Sequence, residues 1–452
     1  MRAFVFLVYA LLAFAVFPAF AAEVVPRPNI LLVVVDTLRA DHLGVYGYSR
    51  PTSPVLDALA REGTLFTRAY STSSWTQPAV ASLFTGTRPA VIAPRSARYI
   101  LARTPVLAAE LRKAGYRTAG FVANPVLHKN RGYGTGFEVY DSWILDREGK
   151  SPPKASAEWV NGGARAWLSE RLREEKPWFL YVHYMEPHTP YEPDEKTARV
   201  FWRNPDLPIE QARERIEQGL EAYHRGEAVR FSEAELQALV DLYDASVRDV
   251  DAAIGDLLSF LPPEVRKRTV VCVTADHGEE LHDHGGFLHA HTLYDELLRV
   301  PLLFVVPGRP GGEKIGRIVQ LSGVAPTLLR LVSLPVPDSF EPIDLFSPTT
   351  RRDAYAYAEL APFTRTFHHR ALVRGPHKLV LPFEGKPMLF DLLADPGERR
   401  DLSEREPALA AELARDLDAR AAETPRLRRK PPPTVLPDAS LRERLRALGY
   451  DF

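Results

Sequence analysis

The feature that most constrains this chain is a series of short, almost wholly apolar runs that each deliver a polar residue. Asn29–Val35 (NILLVVV) ends at Asp36, and Arg117–Val122 (RTAGFV) ends just before Asn124. Trp178–Val182 (WFLYV) ends at His183, and Arg268–Thr274 (RTVVCVT) ends just before Asp276. A fifth run, Pro301–Val306 (PLLFVV), ends at a Pro-Gly turn. Strands this apolar have no face to give to water, so they belong inside a sheet covered on both sides. Helical stretches lie between them at Ser53–Glu62, Val106–Ala114, Ala157–Glu174 and Phe231–Phe260. The first two precede a glycine that suits a C-cap. The expected fold is α/β, a doubly wound, mostly parallel sheet with helices on both faces.

The pattern changes after residue 345. Short strands at Arg370–Val373 and Lys378–Leu381 and a helix at Pro407–Glu423 predict a small C-terminal α/β subdomain over 346–429. The stretch Lys430-Pro431-Pro432-Pro433 reads as a stiff linker, and Asp438–Leu448 as a terminal helix, completing 430–452. The main body spans 27–345. At the other end, a basic start, an apolar run from Ala3 to Phe20 and an Ala19-Phe20-Ala21 site describe a signal peptide over 1–22. The expected location is periplasmic or secreted, in a bacterial host. The alternative is retention of the segment as an anchor, the one case in which a membrane is a partner. Cys272 is the only cysteine, which excludes an intramolecular disulfide and a cysteine-built zinc site. Lys and Arg total 57 against 58 Asp and Glu, so no basic excess exists to hold nucleic acid.

Ligands of open α/β sheets sit beyond the carboxyl ends of the strands. Asp36, Asn124, His183 and the pair Asp276-His277 all fall there, and Asp and His together can gather a divalent cation. Five of the 13 histidines fall in TADHGEELHDHGGFLHAH: His277, His282, His284, His289 and His291. A third signal is SSWTQPAVASLFTG, residues 73–86. Pro78 suits a first helical turn, with Thr76 or Gln77 at the cap. A helix N-terminus binds oxyanions, so the Thr76 hydroxyl is either a cap or a group placed to attack a bound anion.

The segment NILLVVVDTLRADHLGVYGY resembles the opening of the sulfatase family of the alkaline phosphatase superfamily. SSWTQPAVASLFTGTRP resembles that family's nucleophile motif, and WFLYVHYMEPHTPY, TADHGEELHDHGGFLHAHTLYDELLRVPLLF and MLFDLLADPGERRDL follow in family order over residues 28–403. The resemblance implies an alkaline-phosphatase-like fold and metal-dependent hydrolysis of a sulfate or phosphate ester. It maps the metal onto Asp36, Asp276 and His277. Where many sulfatases carry a second acid, this chain has Thr37, so one imidazole and few carboxylates suit Zn²⁺ or Mn²⁺ better than Ca²⁺ or Mg²⁺.

The family's nucleophile is Cys or Ser in C/S-x-P-x-R, converted to formylglycine. This chain has Thr76-Gln77-Pro78-Ala79-Val80, so no formylglycine is expected. Thr76 as nucleophile resembles the phosphodiesterases, lipoteichoic acid synthases and phosphoethanolamine transferases of the same superfamily. The resemblance further suggests His183 or His188 as proton donor to the leaving group. It suggests His291 as a contact to the anion or a second metal, and Asn124 and Lys378 as substrate contacts; His284 is left without a firm role. The substrate is a small-molecule, glycan or lipid ester. Two alternatives are a transferase moving a phosphoglycerol or phosphoethanolamine group onto envelope lipid or glycan, and a non-catalytic anion-binding family member.

Overall fold

A computed structural model describes residues 27–92, 104–142, 156–348, 354–360, 369–382 and 385–422. The expected signal peptide, Pro-rich linker and terminal helix lie outside the described residues. In chain order the strands are β1 (Asn29–Val35), β2 (Thr64–Tyr70), β3 (Arg117–Val122), β4 (Val139–Asp141), β5 (Trp178–Tyr184), β6 (Thr269–Ala275), β7 (Glu280–Leu281), β8 (Phe287–Leu288), β9 (Arg299–Val305), β10 (Glu313–Gln320), β11 (Tyr355–Leu360), β12 (His369–Arg374), β13 (His377–Leu381) and β14 (Met388–Asp391).

Eight of them form one sheet in the order β10-β2-β9-β6-β1-β5-β3-β4. The strands β6, β1, β5, β3 and β4 run parallel. Every residue of β1, β5 and β6 is buried, so both faces of the sheet centre are covered. The run at Pro301 departs from the parallel expectation: β9 is antiparallel to β6 and to β2. The reason is the path of the chain. It leaves β6 at the carboxyl rim, winds through residues 276–298 on that rim, and re-enters the sheet from there. A strand that starts at this rim can only run back down.

Helix α1 (Pro54–Glu62) packs on β9, and the helix Ala157–Arg171 packs on β3 and β5. The long helix Glu233–Phe260 opens with a capping box in which Ser232 and Glu235 bond each other's backbone N–H groups. The two glycines expected as caps differ. Gly115 takes the left-handed conformation (φ 93°). Gly63 is extended (φ −132°), and a Cβ there would lie 2.1 Å from the Phe304 carbonyl oxygen, so its need is space. Strands β11–β14 make a separate antiparallel sheet. The helix Pro407–Ala422 covers it through Leu413 and Leu417 against Leu372, Leu379 and Leu389. The Glu359 N–H on β11 donates to the Thr72 carbonyl at 3.0 Å, tying the second sheet to the segment that enters helix α2 (Thr76–Thr85).

Candidate active site

The parallel strands bring their carboxyl ends to one rim. Val34 stands in register with both His183 and Thr274, and Val122 with His183. Asp36 follows β1 at once, and its N–H donates to the Tyr184 carbonyl at 3.0 Å. Asp276-His277 follows β6, and Asn124 comes two residues after β3. The helix α2 places Thr76 at its first position, with Trp75 at the cap. The Thr76 hydroxyl is therefore not a capping group. It lies 3.2 Å from Nε2 of His277. With Pro78 inside the first turn, this end of α2 presents free N–H groups and the positive end of the helix dipole.

Hydrogen bonds fix the orientation of each group. Asp36 Oδ2 accepts from Asn124 Nδ2 at 2.6 Å and from His183 Nε2 at 3.3 Å. A carboxylate only accepts, so His183 carries its proton on Nε2, and its Nδ1 accepts from the Tyr181 hydroxyl at 2.7 Å. His277 Nδ1 lies 2.8 Å from the Gly278 carbonyl, so Nδ1 donates and the lone pair of Nε2 faces the pocket. Asp276 Oδ1 accepts the N–H groups of His277 (2.9 Å) and Thr37 (3.3 Å). Thr37 holds a positive φ of 56°, an uncommon conformation for a β-branched residue, and the Tyr243 hydroxyl fixes it by donating to its carbonyl at 2.8 Å.

Among the buried atoms without hydrogen-bond partners are one oxygen of each carboxylate, Asp36 Oδ1 and Asp276 Oδ2. They lie 3.7 and 3.6 Å from His277 Nε2. Burial opposes the charge on Asp36, but the hydrogen bond from His183 and the nearby imidazoles outweigh it and hold the carboxyl well below the usual range. Burial and then the charge of Asp36 push Asp276 well up. Two carboxylates that cannot both ionise unaided, with bare oxygens aimed beside an imidazole lone pair, fit a divalent cation. Asp36, Asp276 and His277 would hold it. The ligand atoms of Asp36, Asp276 and His183 also lie within 4.8 Å of one another. His183 would have to give up its hydrogen bond to Asp36 and change tautomer to become a ligand; His277 gives up only its bond with the Thr76 hydroxyl, its Nε2 lone pair already facing the pocket.

A second group faces the same rim. His188 is buried, and burial pushes it down to about 4. Its Nδ1 donates to the Thr189 carbonyl at 2.6 Å. The ring of His289 lies between those of His188 and His277, with centroids 4.9 and 4.6 Å apart. His289 Nδ1 is 2.8 Å from Glu279 Oε1, and the Tyr191 hydroxyl donates to Glu279 Oε2 at 3.2 Å. Burial pushes Glu279 up to about 7.

Comparison with known proteins bears on this constellation. The description "Sulfatase" matches residues 28–334. The chain belongs to the sulfatase family. It is 27% identical over 413 residues to the "Ulvan-active sulfatase" of Formosa agariphila, covering 83% of this chain and 77% of that protein. It is 26% identical over 446 residues to the "Arylsulfatase" of Clostridium perfringens, covering 83% and 90%. The phosphonate monoester hydrolase of Agrobacterium radiobacter shares the fold at a TM-score of 0.72 and 21% identity, covering 88% of this chain and 96% of that one. A structure in complex with its substrate D-glucosamine-2-N,6-O-disulfate shares it at a TM-score of 0.73 and 19% identity, covering 88% and 98%.

Within this sulfatase-family site, several expected residues stand elsewhere than the sequence suggested. Asn124 is bound within the protein. Its amide donates to Asp36, and its carbonyl accepts the Val126 N–H at 2.9 Å. His183 has both ring nitrogens engaged, so it supports Asp36 rather than a leaving group. His291 Nε2 meets Glu280 Oε2 at 2.7 Å. Lys378 is fully buried on an inner strand, and its ammonium sits 2.9 Å from both Asp295 and Glu398, whose carboxylates it faces. Cys272 lies mid-strand in β6, where burial pushes its thiol well up. Sequence reasoning passed over Glu279 and gave His289 no role. The only signal was their place in the His-rich run.

Proposed function

We propose that this sulfatase-family ester hydrolase works with Thr76 as its nucleophile, without formylglycine. The observation that carries the reading is the position of Thr76: first residue of α2, buried, and 3.2 Å from His277 Nε2 among the bare carboxylate oxygens. A cation held by Asp36, Asp276 and His277 would supply positive charge for an ionised Thr76 oxygen and for the oxyanion of the ester.

The residues of the chain do the rest. Thr76 Oγ1 attacks sulfur or phosphorus in line, forming one bond as the bond to the departing oxygen breaks. His188 is neutral at rest, because burial holds it at about 4. Thr76 gives up its proton to solvent on ionising, and His188, on the side of the departing oxygen, relays a proton from solvent to that oxygen. In the second half water attacks the same centre. His188, on the side from which the water attacks, takes a proton from it and releases that proton to solvent, and Thr76 Oγ1 regains a proton from solvent as it leaves. The free N–H groups of α2 and His289, steadied by Glu279, line the oxyanion. A threonine ester cannot expel its anion by forming an aldehyde, so direct attack by water is required. That requirement favours phosphate or phosphonate esters over sulfate esters, and the donor set of one imidazole and two carboxylates favours Zn²⁺ or Mn²⁺ over Ca²⁺ or Mg²⁺. Export through the 1–22 segment belongs to the same reading.

The test is turnover of matched nitrophenyl sulfate, phosphate and phosphonate esters by the chain from Glu23 onward, with Zn²⁺, Mn²⁺ or Ca²⁺. Phosphoester or phosphonate turnover that Thr76→Ala abolishes is the expected result. Sulfate ester turnover retained in Thr76→Ala would remove Thr76 as nucleophile.

A further inference from the structure

Residues 280–296 hold a second cluster of metal-binding side chains that the mechanism above does not use. The ligand atoms of Glu280, His284 and Glu296 all lie within 4.8 Å of one another. His284 Nδ1 is 2.7 Å from Glu296 Oε1. His291 stands beside that trio, its Nε2 2.7 Å from Glu280 Oε2, and a side-chain shift toward His284 and Glu296 would bring it in as a fourth donor. The two glutamates are 1% and 8% exposed, so neither is a solvated surface acid.

Three further details shape the cluster for a ligand. His284 Nε2 lies 3.3 Å from the Glu398 carbonyl, which fixes the proton on Nε2 and turns the lone pair of Nδ1 toward the glutamates in the neutral ring. The His284 ring lies flat on Tyr294, with centroids 3.6 Å apart and planes 5° apart, which fixes its orientation. Space is kept by Gly286. A Cβ at Gly286 would fall 2.9 and 3.0 Å from the two Glu280 oxygens and 3.0 Å from His291 Nε2. The positive φ belongs to Gly285 and not to Gly286, so the backbone does not demand glycine at 286. Its closeness comes from its own N–H, which donates to Glu280 Oε1 at 2.7 Å as the His284 N–H does at 3.0 Å, and a side chain there would crowd the donors.

We propose that Glu280, His284, Glu296 and His291 bind a second divalent cation, distinct from the one at Asp36, Asp276 and His277. Two imidazoles and two carboxylates suit Zn²⁺. The charge balances: two carboxylates and two neutral imidazoles neutralise one dication. The protons now shared between each histidine and its glutamate pass to solvent as the cation enters. The role is structural. The cation clips the loop carrying Glu279 and His289 to the C-terminal subdomain, because His284 bonds the Glu398 carbonyl and Glu398 in turn bonds the Asp295 N–H at 2.6 Å.

Metal content separates the two sites. Full-length protein and its variants are loaded with Zn²⁺, desalted and assayed for zinc per chain by mass spectrometry, with circular dichroism reporting fold. Wild type is expected to hold two equivalents, and His284→Gln and Asp276→Asn one each. Gln keeps the donor to Glu398, and His291→Gln serves if His284→Gln fails to fold. Zinc content in the folded histidine variant equal to wild type overturns this site. Loss of one equivalent in the histidine variant with none lost in Asp276→Asn upholds it and contradicts the cation at Asp36 instead.

Discussion

Removing one oxygen from Tyr181 tests how the site holds its first carboxylate. The Tyr181 hydroxyl donates to His183 Nδ1 at 2.7 Å, and His183 Nε2 donates to Asp36 Oδ2 at 3.3 Å. All three residues are fully buried. Tyr181→Phe keeps the ring and its edge-on contact with Phe84, whose centroid is 4.9 Å away, so packing changes little. What it leaves is a buried imidazole nitrogen with no donor. Such a group costs about 1–3 kcal/mol, so the urea midpoint should fall by a corresponding amount. A second effect follows. His183 becomes free to change tautomer, which removes one of the two donors that keep Asp36 ionised and aimed. Outer-shell partners of this kind typically carry about 10–100-fold in metal affinity. Chelator competition on wild type and Tyr181→Phe should show a loss in that range, with turnover recovering at high metal concentration. Unchanged metal affinity with a lowered urea midpoint would show that the relay supports the fold alone. Both unchanged would refute it.

Three other outcomes follow from the structure. Lys378→Met leaves the buried Glu398 and the half-buried Asp295 without their cation; breaking a buried pair from one side costs about 3–5 kcal/mol, read by urea denaturation, and a loss under about 1 kcal/mol would contradict the placement. Asp251 caps α1 by accepting the Val55 and Leu56 N–H groups, and burial pushes it up to about 6 from an ordinary 3.8. Its folded-state pKa is raised, so its contribution is full below pH 3.8 and is lost as pH rises through 6, a change of about 3 kcal/mol; the stability of wild type relative to Asp251→Asn should shrink over that window, and a flat difference would be the wrong result. Asn124→Ala removes the shortest donor to Asp36 and should lower kcat far more than it raises KM, whereas a substrate-binding residue would show the reverse in steady-state kinetics.

Much of the fold was legible because its central strands are apolar on both faces. β1, β3, β5 and β6 stand within a residue or two of their sequence-read limits. β2 and β10 were not, because they carry Arg68 and, near the sheet edge, the exposed Glu313 and Lys314, which blur the apolar signal. The reversal of β9 was invisible for a different reason: apolar periodicity has no direction. At the site, Asp36 and Asp276-His277 could be read because strands deliver them. The dyad of His289 and Glu279 could not. It depends on a loop folded back through positive-φ residues at His282, Leu288 and Ala290, a path set by tertiary contacts and not by local pattern. Asn124 and Lys378 were seen as chemical groups, but their partners Asp36, Asp295 and Glu398 are distant in sequence, and only the folded chain brings them together.

The most direct measurement is intact-protein and peptide mass spectrometry after rapid acid quench of the enzyme during turnover of a phosphonate or phosphate ester. The account predicts a phosphoryl-type adduct on the peptide containing Thr76, absent in Thr76→Ala, with Thr76 otherwise unmodified. An adduct on any other residue, or full turnover by folded Thr76→Ala, would contradict it.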